Sequence, residues 1–125
     1  MEVKINTKEK FHVITILDEN LSANMTAYLR KWLDEVTQNH VKHIILNFKE
    51  VEQISTEIGE YLATARQDAL EQDRSFVICE LRPNVKELLK QHDLLDILNV
   101  TPTESEAWDI VQMEEVEREL LGGGE

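Results

Sequence analysis

Two periods alternate along this chain. Glu2–Asn6 and Phe11–Leu17 read as short strands on either side of a Thr7-Lys8-Glu9-Lys10 turn, which predicts a hairpin. Leu21, Met25, Tyr28, Leu29, Trp32, Leu33 and Val36 then recur at spacings of three and four, one apolar stripe along a helix with Ser22 as its N-cap. Val41–Phe48 contains the β-branched run Ile44-Ile45-Leu46, as expected of a strand covered on both faces. A second helix starts near Ser55 and turns Ile58, Leu62, Ala65 and Ala69 inward. Ser75–Leu81 is the next strand. Pro83 opens a short helix with Val85, Leu88 and Leu89 on its apolar side, and Ile97–Thr101 is a last strand.

The final helix has the clearest start signal. Thr101-Pro102-Thr103-Glu104 combines a capping residue, a proline at the first helical position and an acid two places on, and Thr103 with Glu106 offers an overlapping capping box. Ala107, Ile110 and Val111 point inward, with Val116 and Leu120 extending the stripe. The order β-β-α-β-α-β-α-β-α predicts an α/β fold. Its sheet is mixed, mostly parallel with an antiparallel first strand, and its four helices pack mainly on one side. Residues 1–121 form one domain and Gly122–Glu125 a disordered tail.

Composition narrows the function. An apolar share of 42% in 125 residues suits one ordered domain. No apolar run is long enough for a membrane span, and Met1-Glu2-Val3-Lys4 lacks the pattern of a secretory signal. The single cysteine, Cys79, lies in the apolar run Phe76-Val77-Ile78-Cys79 and reads as a small buried hydrophobe in a reducing cytoplasm. A formal net charge of −12 argues against nucleic acid and anionic membrane surfaces, and favours a protein partner with a basic surface. Residues 101–125 carry −7 of that total, read as the solvated face of the last helix.

No catalytic team stands out, so the chain reads as a non-enzyme. Of the histidines 12, 40, 43 and 92, only His40 and His43 are close, and their spacing puts them on opposite faces of a strand. No zinc set is complete. His12, within a strand, reads as partly buried and hydrogen-bonded. The glycines fall at 59, 122, 123 and 124, with neither dinucleotide nor phosphate-loop spacing, so no cofactor is expected. Carboxylate pairs such as Asp34-Glu35 and Glu114-Glu115 are set aside as chance neighbours in an acidic chain. The segment Val51–Leu62 is the exception. It joins a buried strand to a helix where free N–H groups gather, and two hydroxyls and a carboxylate stand there. Ser55 or Thr56 caps the helix and Glu57 complements its dipole, which leaves a binding role open.

This stretch resembles the STAS domain family, the bacterial anti-sigma factor antagonists. The resemblance covers about residues 1–120. It rests on Val41–Val51, then Ile54 and the strand-to-helix junction, on Leu21-Ser22 followed by Leu29 and Leu33, and on Leu98–Thr103 followed by Ala107. Family members carry Asp-Ser-Ser/Thr-Gly at the start of the helix. Aligned without gaps, that motif falls on Ser55, Thr56, Glu57 and Ile58, with Gly59 one place late. The family's aspartates before the first helix and after the third strand fall on Ser22 and Asn47.

The resemblance implies a domain that binds a kinase-type anti-sigma factor when unphosphorylated and releases it when phosphorylated. The implied contact and regulatory residues are Ser22, Asn47, Ser55, Thr56, Glu57, Ile58 and Gly59. A glutamate at the acceptor position carries a fixed charge, with less charge and fewer acceptor oxygens than phosphate. Three readings follow. Glu57 locks a phosphorylated-like state, the partner has changed, or Ser55 or Thr56 is a shifted phosphoacceptor. Two alternatives from other classes stand beside them: a structural adaptor that keeps the fold without the switch, and an anion sensor at the helix N-terminus, which Glu57 would oppose.

Overall fold

The computed structural model describes residues 1–38 and 43–122. Val3–Thr7 (β1) and Phe11–Ile16 (β2) form the expected hairpin, antiparallel, with Lys8 N–H donating to Phe11 O at 2.8 Å across the turn. After β2 come a two-residue strand Asn20–Leu21 (β3), a 3₁₀ turn Ala23–Met25 and the helix Thr26–Val36 (α1). His43–Asn47 (β4), Gln53–Ile54 (β5) and Thr56–Glu71 (α2) follow, then Phe76–Cys79 (β6), Pro83–Gln91 (α3), Val100–Thr101 (β7) and Glu104–Leu121 (α4). The main sheet runs β1-β2-β4-β6-β7, with every pair after the first parallel.

Strand β4 is central because it is apolar on both sides. Ile44 and Leu46 face one layer and Ile45 the other, all at 1% exposure or less. Three helices cover the first face. Leu29 and Leu33 of α1, Ile58 and Leu62 of α2, and Val85 and Leu89 of α3 pack there on Ile14, Ile16, Ile44, Leu46 and Ile78. The opposite face is thinner. Phe11, Val13, Ile45, Val77 and Cys79 meet Ala107 and Val111 of α4, with Trp108 edge-on to Phe11 at 5.1 Å between ring centroids. Helices thus lie mainly on one side, with the fourth alone closing the other.

Several expected details differ. The first helix begins one 3₁₀ turn after Ser22, whose backbone N–H lies 3.3 Å from the Met25 sulfur. The last strand keeps only Val100–Thr101, because Leu94–Leu98 turns instead, leaving Ile97 46% exposed and Leu98 buried. Thr103 caps α4 by accepting from Glu106 N–H at 3.2 Å, and Pro102 precedes the helix instead of opening it. Thr101 is held in the ladder with Cys79 and cannot also be the cap. Val116 and Leu120 do not extend the buried stripe; they are 52% and 77% exposed. The cause is direction. At 3.6 residues per turn Val116 and Leu120 lie about 140° and 180° around the helix from the buried Val111, on the side of α4 turned away from the sheet. Gly122 ends α4, its N–H donating to Arg118 O at 2.9 Å, while the rest of the expected tail, together with His40, Val41 and Lys42, lies outside the described residues.

Candidate functional site

The chain leaves β4 through the buried Phe48 and Val51 and enters β5, which pairs in parallel with β3. Ser55 N–H then donates to Leu21 O at 2.9 Å. This small ladder, too short to leave a period in the sequence, fastens the Ser22 loop beside the N-terminus of α2. Ser55 is the cap, its Oγ accepting from Ile58 N–H at 3.3 Å. Thr56 Oγ1 lies 3.4 Å from His92 Nε2, just past the end of α3. Glu57 is exposed at the second helical position, where its carboxylate meets the positive end of the helix.

The seven residues named from the sequence divide into two groups. Ser22, Ser55, Thr56 and Glu57 reach the surface together. Asn47, Ile58 and Gly59 are buried, so their influence on any partner passes through packing. Ile58 is fully enclosed. Gly59 permits α2 to approach α3: a Cβ there would lie 3.0 Å from Leu94 Cδ1 and 3.1 Å from Leu89 Cδ2.

Asn47 anchors a polar network at the C-terminal edge of the sheet. Its Oδ1 accepts from Lys49 N–H at 2.9 Å and its Nδ2 donates to Glu104 Oε1 at 3.1 Å. The other oxygen of Glu104 accepts from Trp108 Nε1 at 3.2 Å. Glu104 N–H donates to Glu80 Oε2 at 3.1 Å. Glu80 sits in the left-handed region with φ of 60°, a conformation that costs a non-glycine residue about 1–2 kcal/mol. Beneath it Cys79 is fully buried, and burial, aided by the charges of Glu104 and Glu80, pushes its thiol up to about 12. That thiol is closed off from solvent in the folded state.

A second network lies at the opposite edge. His43 Nδ1 accepts from Ser75 N–H at 2.9 Å, which leaves Nε2 to donate to Glu115 Oε2 at 2.6 Å. Ser75 Oγ donates to Glu114 Oε1 at 2.6 Å and accepts from Arg118 Nη1 at 3.1 Å. The pair Glu114-Glu115, set aside as chance, therefore fastens α4 to β4 and β6. The signal was positional: residues 114 and 115 lie three and four places after Val111, on the inward face. His12 is buried, and its Nδ1 pairs with Oγ1 of Thr7 at 2.8 Å on the adjoining strand. Among the described residues no three His, Cys, Asp or Glu side chains gather to hold a metal ion, and no helix is long and apolar enough to cross a membrane.

Comparison with known proteins agrees with this architecture. An anti-sigma-factor antagonist (STAS) domain protein from Planctomyces limnophilus superposes with a TM-score of 0.75 at 16% identity, over 88% of this chain and 97% of that one. RsbS of Moorella thermoacetica, in a serine-to-glutamate variant, gives 0.73 at 17% identity over 90% and 96%. The anti-sigma factor antagonist SpoIIAA in its unphosphorylated form gives 0.68 at 21% identity over 89% and 96%. The phosphorylated Bacillus SpoIIAA gives 0.59 at 20% identity over 88% and 99%. No curated protein matches the sequence. The family model for the STAS domain matches residues 2–107, and the chain belongs to the STAS domain family.

Proposed function

We propose that this STAS domain is a non-catalytic regulatory protein that binds a protein partner through the surface made by Ser22, Ser55, Thr56 and Glu57. The observation that carries the reading is Glu57: an exposed carboxylate at the second position of α2, beside the Ser22 loop. On the family logic this is where a phosphate would be placed. A fixed charge there reproduces part of the phosphorylated surface and holds the domain in a low-affinity state toward a kinase-type anti-sigma factor. SpoIIAA, a protein of the same fold, exists in phosphorylated and unphosphorylated forms. The net charge of −12 supports a protein partner over nucleic acid or membrane.

Ser55 is a poor shifted acceptor, because its Oγ is engaged in capping Ile58 N–H. The adaptor reading draws on the same residue as the first: glutamate has no hydroxyl to phosphorylate, so the fold can serve assembly without a switch. Affinity capture from the source cell tests both. Co-purification of an ATPase-type kinase whose binding strengthens in Glu57→Ser supports the regulatory reading. A different partner whose binding weakens in that variant supports the adaptor.

A further inference from the structure

The far half of α4 presents an apolar row that the domain itself does not cover. Met113, Val116 and Leu120 are 61%, 52% and 77% exposed. Spacings of three and four align them on one side of the helix, over about 10 Å. Asp109, Gln112 and Glu117 share a shallow surface with Met113 and Val116. The row lies on the side of α4 opposite the buried Ala107 and Val111, and beyond the residues matched by the family model. Exposed apolar rows rimmed by charge mark interaction surfaces.

Charge selects the occupant. Residues 101–125 carry eight acids against Arg118, a net −7. Arg118 is turned away toward Glu114, Glu115 and Ser75. Among the described residues neither Asp109 nor Glu117 has a salt-bridge partner, and Glu117 and Glu119 stand near the helix C-terminus, where the dipole disfavours carboxylates. A second copy would set these acids face to face, which works against self-pairing. We propose that this row docks a basic amphipathic helix of another protein, with apolar side chains at helical spacing for Met113, Val116 and Leu120, and Lys or Arg on its flanks for Asp109 and Glu117. Because α4 lies on the sheet face opposite α1–α3, this surface is separate from the one at Glu57. The inference stands independently of the role given to Glu57.

The test uses two synthetic Leu/Lys peptides of identical composition, each about 18 residues to match α4. One has leucines at helical spacing and the other is scrambled. Binding is followed by fluorescence anisotropy, and its location by methyl NMR of the three methionines 1, 25 and 113. The face-bearing peptide is expected to bind one-to-one and to shift the Met113 methyl ahead of the other two. The scrambled peptide, and the charge-preserving double variant Met113→Ser with Val116→Ser, should each bind about tenfold more weakly or worse. Equal binding by the scrambled peptide or by the variant would show attraction to net charge alone and overturn the proposal, as would perturbation centred on Met1 or Met25. Sedimentation equilibrium showing a dimer that the variant abolishes would assign the row to a second copy and overturn it too. If the variant fails to fold by circular dichroism, the wild-type NMR and the peptide pair still decide.

Discussion

The side-chain amide of Asn47 donates to Glu104 Oε1 at 3.1 Å from a position only 2% exposed. Donation is what this place requires, because Glu104 offers only acceptors. The STAS pattern puts an aspartate at the position of Asn47, and with Glu104 opposite it two carboxylates would face one another. Asn47→Asp is therefore expected to lose about 1–3 kcal/mol in urea unfolding, the cost of breaking a buried pair and leaving acceptors without a donor. Glu104→Gln introduced into that variant restores a donor, so the double-mutant cycle should show a favourable coupling. Additive losses would mean that the two side chains do not act as a pair.

Gly59→Ala sets helix propensity against packing. Alanine favours a helix interior by about 1 kcal/mol over glycine. Against that, the new methyl would press on Leu94 and on Leu89, the latter fully buried among its neighbours. Overpacking of this kind costs about 1–3 kcal/mol, so the expected net effect is a loss of about 1 kcal/mol. A rise in the urea midpoint would show that α3 yields.

What was legible in the sequence was whatever repeats. The apolar run of β4 and the stripes of α1 and α2 announce buried faces, and Ile44, Leu46, Leu29, Leu33, Leu62 and Ile78 are all buried as expected. The β3–β5 ladder was hidden because two residues cannot display a period, yet it sets Ser22 beside Ser55. Glu114 and Glu115 were misjudged because charge was counted before position. Val116 and Leu120 keep helical spacing with Met113, across α4 from Ala107 and Val111, so they form a second apolar row turned to solvent. Periodicity reports that a helix has an apolar face and says nothing of which face the sheet covers.

Alkaline pH should unfold this domain progressively. Burial is the main cause that pushes Cys79 from 9 and Tyr61 from 10 up to about 12, with the Asp34 charge adding at Tyr61. The folded state keeps both protons where the unfolded chain releases them. Their contribution is thus fully present below pH 9 and is lost as pH climbs from 9 toward about 12. Cys79→Ala should flatten the first part of that decline, between 9 and 10, in urea titrations at stepped pH. At neutral pH a thiol reagent should label Cys79 only after denaturant is added. Rapid labelling of the native protein would contradict the burial argument.

Glu57 is where stability and binding can be separated. A carboxylate at the second position of a helix is worth about 0.3–1 kcal/mol, so Glu57→Ser should cost no more than that. Ser55→Ala removes the cap itself and should cost about 1 kcal/mol. Both changes therefore leave a folded domain whose binding can be measured. If Glu57 supplies the fixed charge that keeps an anti-sigma kinase away, Glu57→Ser and Glu57→Ala should each gain about tenfold in affinity for that kinase, equivalent to about 1.4 kcal/mol. Of the two, the serine variant alone should then gain mass when incubated with the kinase and ATP. Wild type should gain none, and a stoichiometric phosphate on wild-type Ser55 or Thr56 would show that the acceptor has shifted. If the domain is an adaptor for another partner, both Glu57 variants should weaken that complex. Equal affinity of all three proteins for the recovered partner would reduce Glu57 to helix stabilisation and move the contact surface elsewhere on the domain.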